Sequence, residues 1–289
     1  MKKKMSKELI QKYKKHLIEE ERSKATISKY MRDIEAFYEF LDDDKAIKKE
    51  SVVAFKQSLE DNYRISSINS MLVAVNGLLE FMGLSSCRVK LNKVQKKLFH
   101  DETLELTKSE YIRLVNTAIA KKDEQLAMIM QTICATGIRI SELKYITVES
   151  LKNKTAIVRN KGKVREIIFP KKMRKALLNY CKECRIISGC VFVTKNGKPL
   201  DRSNIWTKMK KLCGEAGVNK DKVFPHNLRH LFAFTFYKLE KDLVRLADIL
   251  GHSSIETTRI YTKTSIGKCQ SIMDKMNLIL SNTCYHQTI

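Results

Sequence analysis

The sequence has few prolines and no long apolar run. With three prolines among 289 residues, it does not have the composition of a proline-rich linker protein. Its apolar runs, such as Leu231-Phe-Ala-Phe, are far shorter than the roughly 20 residues that cross a bilayer as a helix. No internal repeat and no low-complexity tract is visible. The sequence therefore predicts a globular protein that does not cross a membrane.

An export signal is also missing. The N-terminus starts Met1-Lys-Lys-Lys, but no apolar segment of a secretory signal follows. Eight cysteines are scattered through this long chain, which does not predict a disulfide framework. Cys181 and Cys184, with Cys190 nearby, lack the second pair that a structural zinc site needs. We therefore expect reduced cysteines, no metal, and a cytoplasmic, nucleoid-associated protein.

Acidic residues are few relative to basic ones. Lys and Arg number 55 against 32 Asp and Glu, a net charge of +23. Such an excess favours a polyanionic partner, because Lys and Arg replace the counterions condensed on phosphates. The length suits two domains of about 150 residues each, and 43% hydrophobic residues are enough for two cores. Composition therefore predicts a nucleic-acid-binding protein of two domains.

Residues 1–86 have the periodicity of four short helices. Leu9, Tyr13 and Leu17 share one helical face, and Thr26 is placed to cap a second helix. A third helix follows, and a fourth begins near Ser66 and ends before Gly83. We predict a small all-α domain here.

Residues 87–106 are strongly basic and carry no sustained helical pattern. This segment is predicted to be an extended interdomain linker. Two interpretations stay open: an extended segment that lies along a phosphate backbone, or a solvated tether. Under the first interpretation, the residues that contact DNA would be Arg88, Lys90, Lys93, Lys96 and Lys97.

Residues 107–289 are predicted to form a mixed domain, mostly helical with a small β-sheet. It opens with a capping box at Thr107 and Glu110 and continues into a buried helix that ends at Gly137. Three short segments have the composition of strands: 155–159, 165–169 and 191–194, the last before an Asn196-Gly197 turn. Helices return from Met173, Ser203, His226 and Leu243, and an amphipathic helix over about 266–282 follows. The fold class is therefore α+β, with an all-α domain before it.

Six polar residues in this second domain have chemistry suited to one phosphodiester. Two arginines, two histidines, a lysine in a turn and a tyrosine can hold a phosphate, move protons and attack phosphorus. Single residues of this kind are commonly surface charges or core side chains, so only their joint occurrence carries weight. They are Arg139, Lys161, His226, Arg229, His252 and Tyr261.

Three segments around these residues resemble the tyrosine recombinases, the group of phage integrases and Xer recombinases. The segments read Ala-Thr-Gly-Ile-Arg-Ile-Ser-Glu-Leu, His-Asn-Leu-Arg-His, and Leu-Gly-His-Ser-Ser-Ile-Glu-Thr-Thr-Arg-Ile-Tyr. Their order and separations also fit. The resemblance covers the whole second domain, and the helical first domain is similar to the family's core-site binding module. Because those helices begin near Ser6, the chain resembles the compact form without an arm-binding domain.

The resemblance implies a role for each matched residue. Tyr261 would be the nucleophile that forms a 3′-phosphotyrosyl link, while Arg139 and Arg229 would clamp the non-bridging oxygens. Lys161 would protonate the leaving 5′-oxygen, although Lys163 in the same turn is an alternative. His226 would act in proton transfer, and His252 would hydrogen-bond the phosphate. No metal, ATP or other cofactor is implied.

Other residues are predicted to contact DNA or are left open. Lys163 and Arg165 would hold the DNA backbone, and the basic run Lys208, Lys210 and Lys211 is interpreted as a phosphate contact. Core packing is favoured for Trp206 over stacking on a base. His230 lies beside the matched pair and has two interpretations, a site residue or a core residue with a satisfied hydrogen bond.

The predicted function is site-specific DNA recombination. Four protomers would assemble as a homotetramer on two core sites of double-stranded DNA and exchange strands through a Holliday junction, as in integration, excision or inversion of a mobile element. The sequence leaves open whether the chain is monomeric off DNA, whether a directionality factor is needed, and whether the C-terminal helix packs in cis or in trans. Alternatives are a type IB topoisomerase-like enzyme and a catalytically silent DNA-binding regulator.

Overall fold

The chain forms two compact units. The computed structural model describes residues 4–93, 104–160, 163–194, 196–262 and 266–276. The units divide after Lys96, inside the segment predicted to be the linker. In the described residues no helix is long and apolar enough to cross a membrane.

The first unit is all-helical, as predicted. Apolar residues on one face of each helix, including Leu17, Phe37 and Leu72, form its core. The second helix begins earlier than expected: Ser23, not Thr26, caps it, accepting a hydrogen bond from Thr26 N–H at 3.2 Å. The helices are α1 (Lys7–Glu19), α2 (Lys24–Phe40), α3 (Lys49–Glu60) and α4 (Ile65–Phe81), followed by a 3-10 turn at Ser85–Cys87.

The start of the predicted linker is fixed to this unit. The side-chain amide of Asn76 bonds both the N–H and the carbonyl of Val89, at 3.0 and 2.9 Å. Asn69 holds the N–H and carbonyl of Asn92 in the same way, at 2.8 and 2.9 Å. Val89 is also buried in the helical core. Residues 88–93 therefore carry no helix or strand and belong to the helical unit.

The second unit is mainly helical with a two-stranded antiparallel sheet. The strands are β1 (Thr155–Asn160) and β2 (Lys163–Ile168), in a register that pairs Thr155 with Ile168 and Asn160 with Lys163. The helices are α5 (Lys108–Ala120), α6 (Glu124–Thr136), α7 (Val148–Lys152), α8 (Lys171–Glu183), α9 (Arg202–Ala216), α10 (Pro225–Glu240), α11 (Leu243–Leu250), α12 (Ile255–Thr258) and α13 (Ile266–Lys275).

The third predicted strand is wrong. Val191 and Phe192 are buried as a strand's residues would be, but they form no ladder. Val191 N–H donates to the carbonyl of Ile146 at 2.9 Å, and isolated bridges join Thr147 to Cys190 and Val193 to Pro199. Among the described residues, the segment is therefore buried but joined to its neighbours only by isolated bridges.

The end of α6 positions the first site segment. Gly137 closes this helix with φ of 65°, a left-handed conformation that favours glycine. A Cβ atom there would collide with the ring of Phe232 on α10. This close approach brings α10 against the residues that follow Gly137, which include Arg139.

Candidate active site

Arg139 stands at the start of a 3-10 segment, Ile140–Tyr145. Its N–H donates to Glu142 Oε2 at 2.8 Å, and its Nη1 donates to Glu142 Oε1 at 3.0 Å. Nη2 approaches the carbonyl of Gly251 at 3.4 Å. The side chain keeps 37% of its surface exposed, so the fixed guanidinium is open to a ligand.

Arg229, on α10, is held almost entirely inside the unit and is 1% exposed. Its Nη1 donates to the carbonyl of Gly137 at 2.5 Å and its Nη2 to the carbonyl of Leu250 at 2.7 Å. Its Nε has no hydrogen-bond partner among the described residues. Burial, followed by the charge of Arg139, lowers the pKa of Arg229 to about 10, which leaves it charged at neutral pH. A buried arginine with an unused donor is suited to an anion.

His252 follows the left-handed Gly251 at the end of α11. Its Nε2 lies 3.1 Å from Arg229 Nη2, and its Nδ1 lies 2.8 Å from the hydroxyl of Thr258. Because arginine only donates, Nε2 accepts and Nδ1 carries the proton that bonds Thr258. Burial, then the charges of Arg229 and Arg139, lowers the pKa of His252 to about 4, so the ring is neutral near pH 7.

Tyr261 is buried next to His230. It is 4% exposed and packs with Ala233, Leu246 and Leu250. Burial raises the pKa of Tyr261, although the nearby charge of Arg229 opposes this, and the phenol is neutral. The ring of His230 makes an edge contact with Tyr261, with centroids 5.2 Å apart.

His226 lies on the other side of His230. Their rings are also in edge contact, with centroids 4.5 Å apart. His226 reaches the surface, and partial burial followed by the charge of Arg229 lowers its pKa. His230, which had two interpretations, thus stands between the predicted proton carrier and the predicted nucleophile, in contact with both.

Glu142 and Arg165 form a buried pair. Sequence analysis predicted Arg165 as a DNA contact but did not place Glu142 in the site. Arg165 Nη2 donates to Glu142 Oε2 at 2.5 Å, with side chains 12% and 2% exposed. Burial alone would raise the pKa of Glu142, but the hydrogen bond from Arg139 N–H and the charge of Arg165 outweigh it and lower the pKa. The carboxylate therefore stays ionised and is shared by two arginines. The acidic residue three positions after Arg139 was the available signal.

Arg165, which was predicted to hold the DNA backbone, makes hydrogen bonds within the unit. Besides Glu142, its guanidinium bonds the carbonyl of Ile249 at 2.7 Å. Arg139, Arg165 and Arg229 are thus three positive charges grouped around one shared carboxylate. The group has a positive surplus that an anion would neutralise.

Of the two candidate lysines, only Lys163 lies within the described residues. Lys161 and its neighbour Gly162 lie outside the described residues, between β1 and β2. Lys163 begins β2, opposite Asn160. The choice between Lys161 and Lys163 as the proton donor stays a prediction.

The other predicted DNA contacts are mostly on the surface. Arg88 pairs with Glu80 at 3.3 Å, and Lys208 pairs with Asp123 at 2.9 Å. Lys96 and Lys97 lie outside the described residues. The exposed ones are Arg88, Lys90, Lys93, Lys208 and Lys211, whereas Lys210 is half-buried.

Trp206 is not a core residue, which corrects the expectation. It is 46% exposed, and Lys210 Nζ lies over its ring, 5.5 Å from the centroid. It borders a groove of about 290 Å³ that reaches His226 and is otherwise lined by Ile140, Arg202, Ser203, Phe224 and Pro225.

A metal site is not found among the residues that the structure describes. No group of three or more His, Cys, Asp or Glu side chains there could hold an ion. Cys181 is buried and Cys184 is exposed, both as free thiols.

Comparison with known proteins covers both units. Residues 105–266 match the model of the phage integrase family, and residues 10–83 match that of the phage integrase N-terminal SAM-like domain. Tyrosine recombinase XerA of Pyrococcus furiosus is 27% identical, over 94% of this chain and 95% of the relative. Tyrosine recombinase XerC of Pediococcus pentosaceus is 28% identical, over 91% and 95%. A lambda integrase tetramer bound to a Holliday junction shares the fold, with a TM-score of 0.71 at 17% identity over 88% of this chain and 76% of that one.

Proposed function

This chain belongs to the phage integrase family and is a tyrosine site-specific recombinase, and from that premise we propose which residues carry the reaction. Tyr261 attacks the scissile phosphate: its Oη forms a bond to phosphorus while the bond from phosphorus to the 5′-oxygen breaks. The products are a 3′-phosphotyrosyl link and a free 5′-hydroxyl. The link retains the energy of the phosphodiester, so rejoining needs no ATP.

Arg139 and Arg229 bind the non-bridging oxygens of that phosphate. The observation that carries this assignment is the group of three guanidiniums around the single shared carboxylate of Glu142. Arg139 is half-exposed and Arg229 has an unused Nε among the described residues, so both can still donate to a ligand. Such fixed donors stabilise the charge that develops on a pentavalent phosphorane.

Two protons move in the reaction. The phenol proton of Tyr261 goes to His226, which is neutral near pH 7 and can therefore accept it. The leaving 5′-oxygen takes a proton from Lys161, with Lys163 as the alternative. His252 contributes by holding Arg229, since its Nε2 already accepts from that guanidinium.

The assembly follows the relative whose structure is a tetramer on a Holliday junction. We infer that four copies of this chain act on two core sites of double-stranded DNA and exchange strands in pairs. The exposed basic residues of both units, such as Lys90 and Lys211, are proposed backbone contacts, and the chain would work in the cytoplasm on the nucleoid.

Covalent capture tests this proposal. The purified protein is incubated with fragments of its source DNA and denatured, and the DNA that stays attached is sequenced. We expect adducts that share a sequence and are absent with Tyr261→Phe. Tyr180→Phe, which changes another buried tyrosine of the same unit, is the matched control and should form adducts normally. Adducts that persist in Tyr261→Phe would refute the nucleophile, and adducts without a shared sequence would indicate topoisomerase-like relaxation.

A further inference from the structure

We propose that Arg165 is a positioning residue and does not contact DNA. It keeps Arg139, and the turn that carries His252, in the relative positions that phosphate binding requires. The proposal rests on the proposed function, because it assigns a role within the same reaction. It assigns Arg165 to the catalytic centre although the residue lies outside the three motif segments that identify the family.

The first link runs from Arg165 to Arg139. One guanidinium nitrogen of Arg165 bonds Glu142 Oε2, and the two carboxylate oxygens of Glu142 bond the N–H and Nη1 of Arg139. With its side chain 2% exposed, Glu142 has no solvent to replace a lost partner. Removal of Arg165 would leave the buried carboxylate with one of its two cationic partners. Glu142 would then attract the Arg139 guanidinium more strongly.

The second link runs from Arg165 to the turn that carries His252. The other terminal nitrogen, Nη1, bonds the carbonyl of Ile249, three residues before His252. The aliphatic part of Arg165 lies against Gly251, so closely that a Cβ at position 251 would collide with Arg165 Cδ. Gly251 also has φ of 63°, its carbonyl lies 3.4 Å from Arg139 Nη2, and the next residue, His252, bonds Arg229.

The fork shape of the guanidinium is what the position requires. Two nitrogens held in one plane reach an acidic side chain and a main-chain carbonyl on different elements at once. A lysine would keep the charge but would offer one ammonium in place of the fork. Both terminal nitrogens of Arg165 already have partners, and its Nε, which has none among the described residues, is buried. The side chain is 12% exposed.

The experiment compares Arg165→Lys and Arg165→Gln with the wild-type chain on DNA sites recovered by covalent capture. Single-turnover cleavage is measured on three substrates: the ordinary phosphate, a methylphosphonate that lacks one anionic oxygen, and a 5′-bridging phosphorothiolate whose leaving group needs no proton. On the ordinary phosphate we expect both variants to be about 100-fold slower, the usual effect of a displacement of about 1 Å in a catalytic group.

The two modified substrates identify the step affected. A misplaced clamp matters less when a negative charge is removed, so the deficit should shrink to about 3-fold on the methylphosphonate. It should persist on the phosphorothiolate. Rescue by the phosphorothiolate alone would overturn the proposal, because it would assign Arg165 to protonation of the leaving group.

DNA affinity provides the contrast with a backbone contact. Arg165→Lys should bind DNA as the wild type does, with the same dependence on salt. Lys211→Gln, which changes an exposed predicted contact, should reduce the slope of log affinity against log salt by about 1. The same reduction in Arg165→Gln, with unchanged cleavage of bound DNA, would overturn the proposal.

Two other outcomes, unfolding of a variant and a wild-type chain that does not cut DNA, can be distinguished from failure of this proposal. If Arg165→Gln unfolds, Arg165→Lys, which keeps a positive charge beside the buried Glu142, answers the same question. If the wild-type chain cuts no DNA, the proposed function fails. The imidazole NMR signals of His252 in Arg165→Lys then decide this proposal: a change is expected, and unchanged signals would refute it.

Discussion

Nε2 of His252 accepts a hydrogen bond from Nη2 of Arg229, 3.1 Å away. Since arginine has no acceptor, this bond fixes the tautomer of the imidazole, with its proton on Nδ1 and directed to Thr258. The histidine is thereby an acceptor that orients the Arg229 guanidinium. In the unbound site it has no proton on Nε2 to offer a phosphate.

Replacing Thr258 by valine should slow DNA cleavage. Thr258 is fully buried, and its hydroxyl is the partner of His252 Nδ1–H. Valine keeps the shape but removes that partner, and loss of such orienting groups reduces activity about 10- to 100-fold. Cleavage of a captured site gives the measurement, with Thr258→Ser as the control that keeps the hydroxyl. Equal rates for the valine and serine variants would show that the tautomer is held by other contacts.

His252 should resist protonation down to about pH 4. Between 6.5, the ordinary pKa, and about 4, the unfolded chain binds a proton that the folded chain does not. Acidification through this window therefore lowers the free energy of unfolding. An NMR titration of the histidine ring measures the pKa directly, and His252→Gln should make stability less dependent on pH there. A titration midpoint near 6.5 would contradict the burial described.

Replacement by phenylalanine should have different effects at the two histidines of α10, His226 and His230. His226→Phe removes the proton acceptor and should slow cleavage by about 100-fold or more. His230→Phe keeps the edge contacts with His226 and Tyr261, so we expect it to slow cleavage less than His226→Phe does. The cleavage rates of the two variants, measured at several pH values, test this difference. The reverse order of effects would assign the proton of Tyr261 to His230.

Gly77→Ala should destabilise the helical unit even though alanine favours helices. A Cβ at position 77 would lie 2.5 Å from the hydroxyl of Tyr13, which is buried against it. Overpacking of this kind costs about 1–3 kcal/mol, more than the gain in helix propensity of about 1 kcal/mol. Thermal unfolding followed by circular dichroism measures the loss. In a Tyr13→Phe background, which removes the hydroxyl, the same change should be neutral or stabilising.

Local sequence signals predicted much of the fold. Helical periodicity gave the helices of both units, and glycines at helix ends gave stops at Gly83 and Gly137, both left-handed in the structure. The pairing of His226 with Arg229 on one helix was likewise predictable, because both fall within one periodic segment. These features depend on neighbours within one or two turns.

Contacts between distant segments could not be predicted. Asn76 is 13 positions from Val89, and Arg165 is 23 positions from Glu142. The strand-like composition at Val191 correctly indicated a buried segment. A sheet also needs a neighbouring strand, which composition does not reveal. Trp206 was assigned to the core by residue type alone. The sequence predicted candidate site residues, whereas the contacts between them are seen only in the tertiary structure.

The surplus of positive charge at the candidate active site has a consequence for handling the protein. Arg139, Arg165 and Arg229 repel one another, and Glu142 offsets one of the three charges. Any small anion that settles there adds to the free energy of unfolding by mass action. Sulfate and inorganic phosphate in a buffer would therefore protect the enzyme against heat while competing with its DNA.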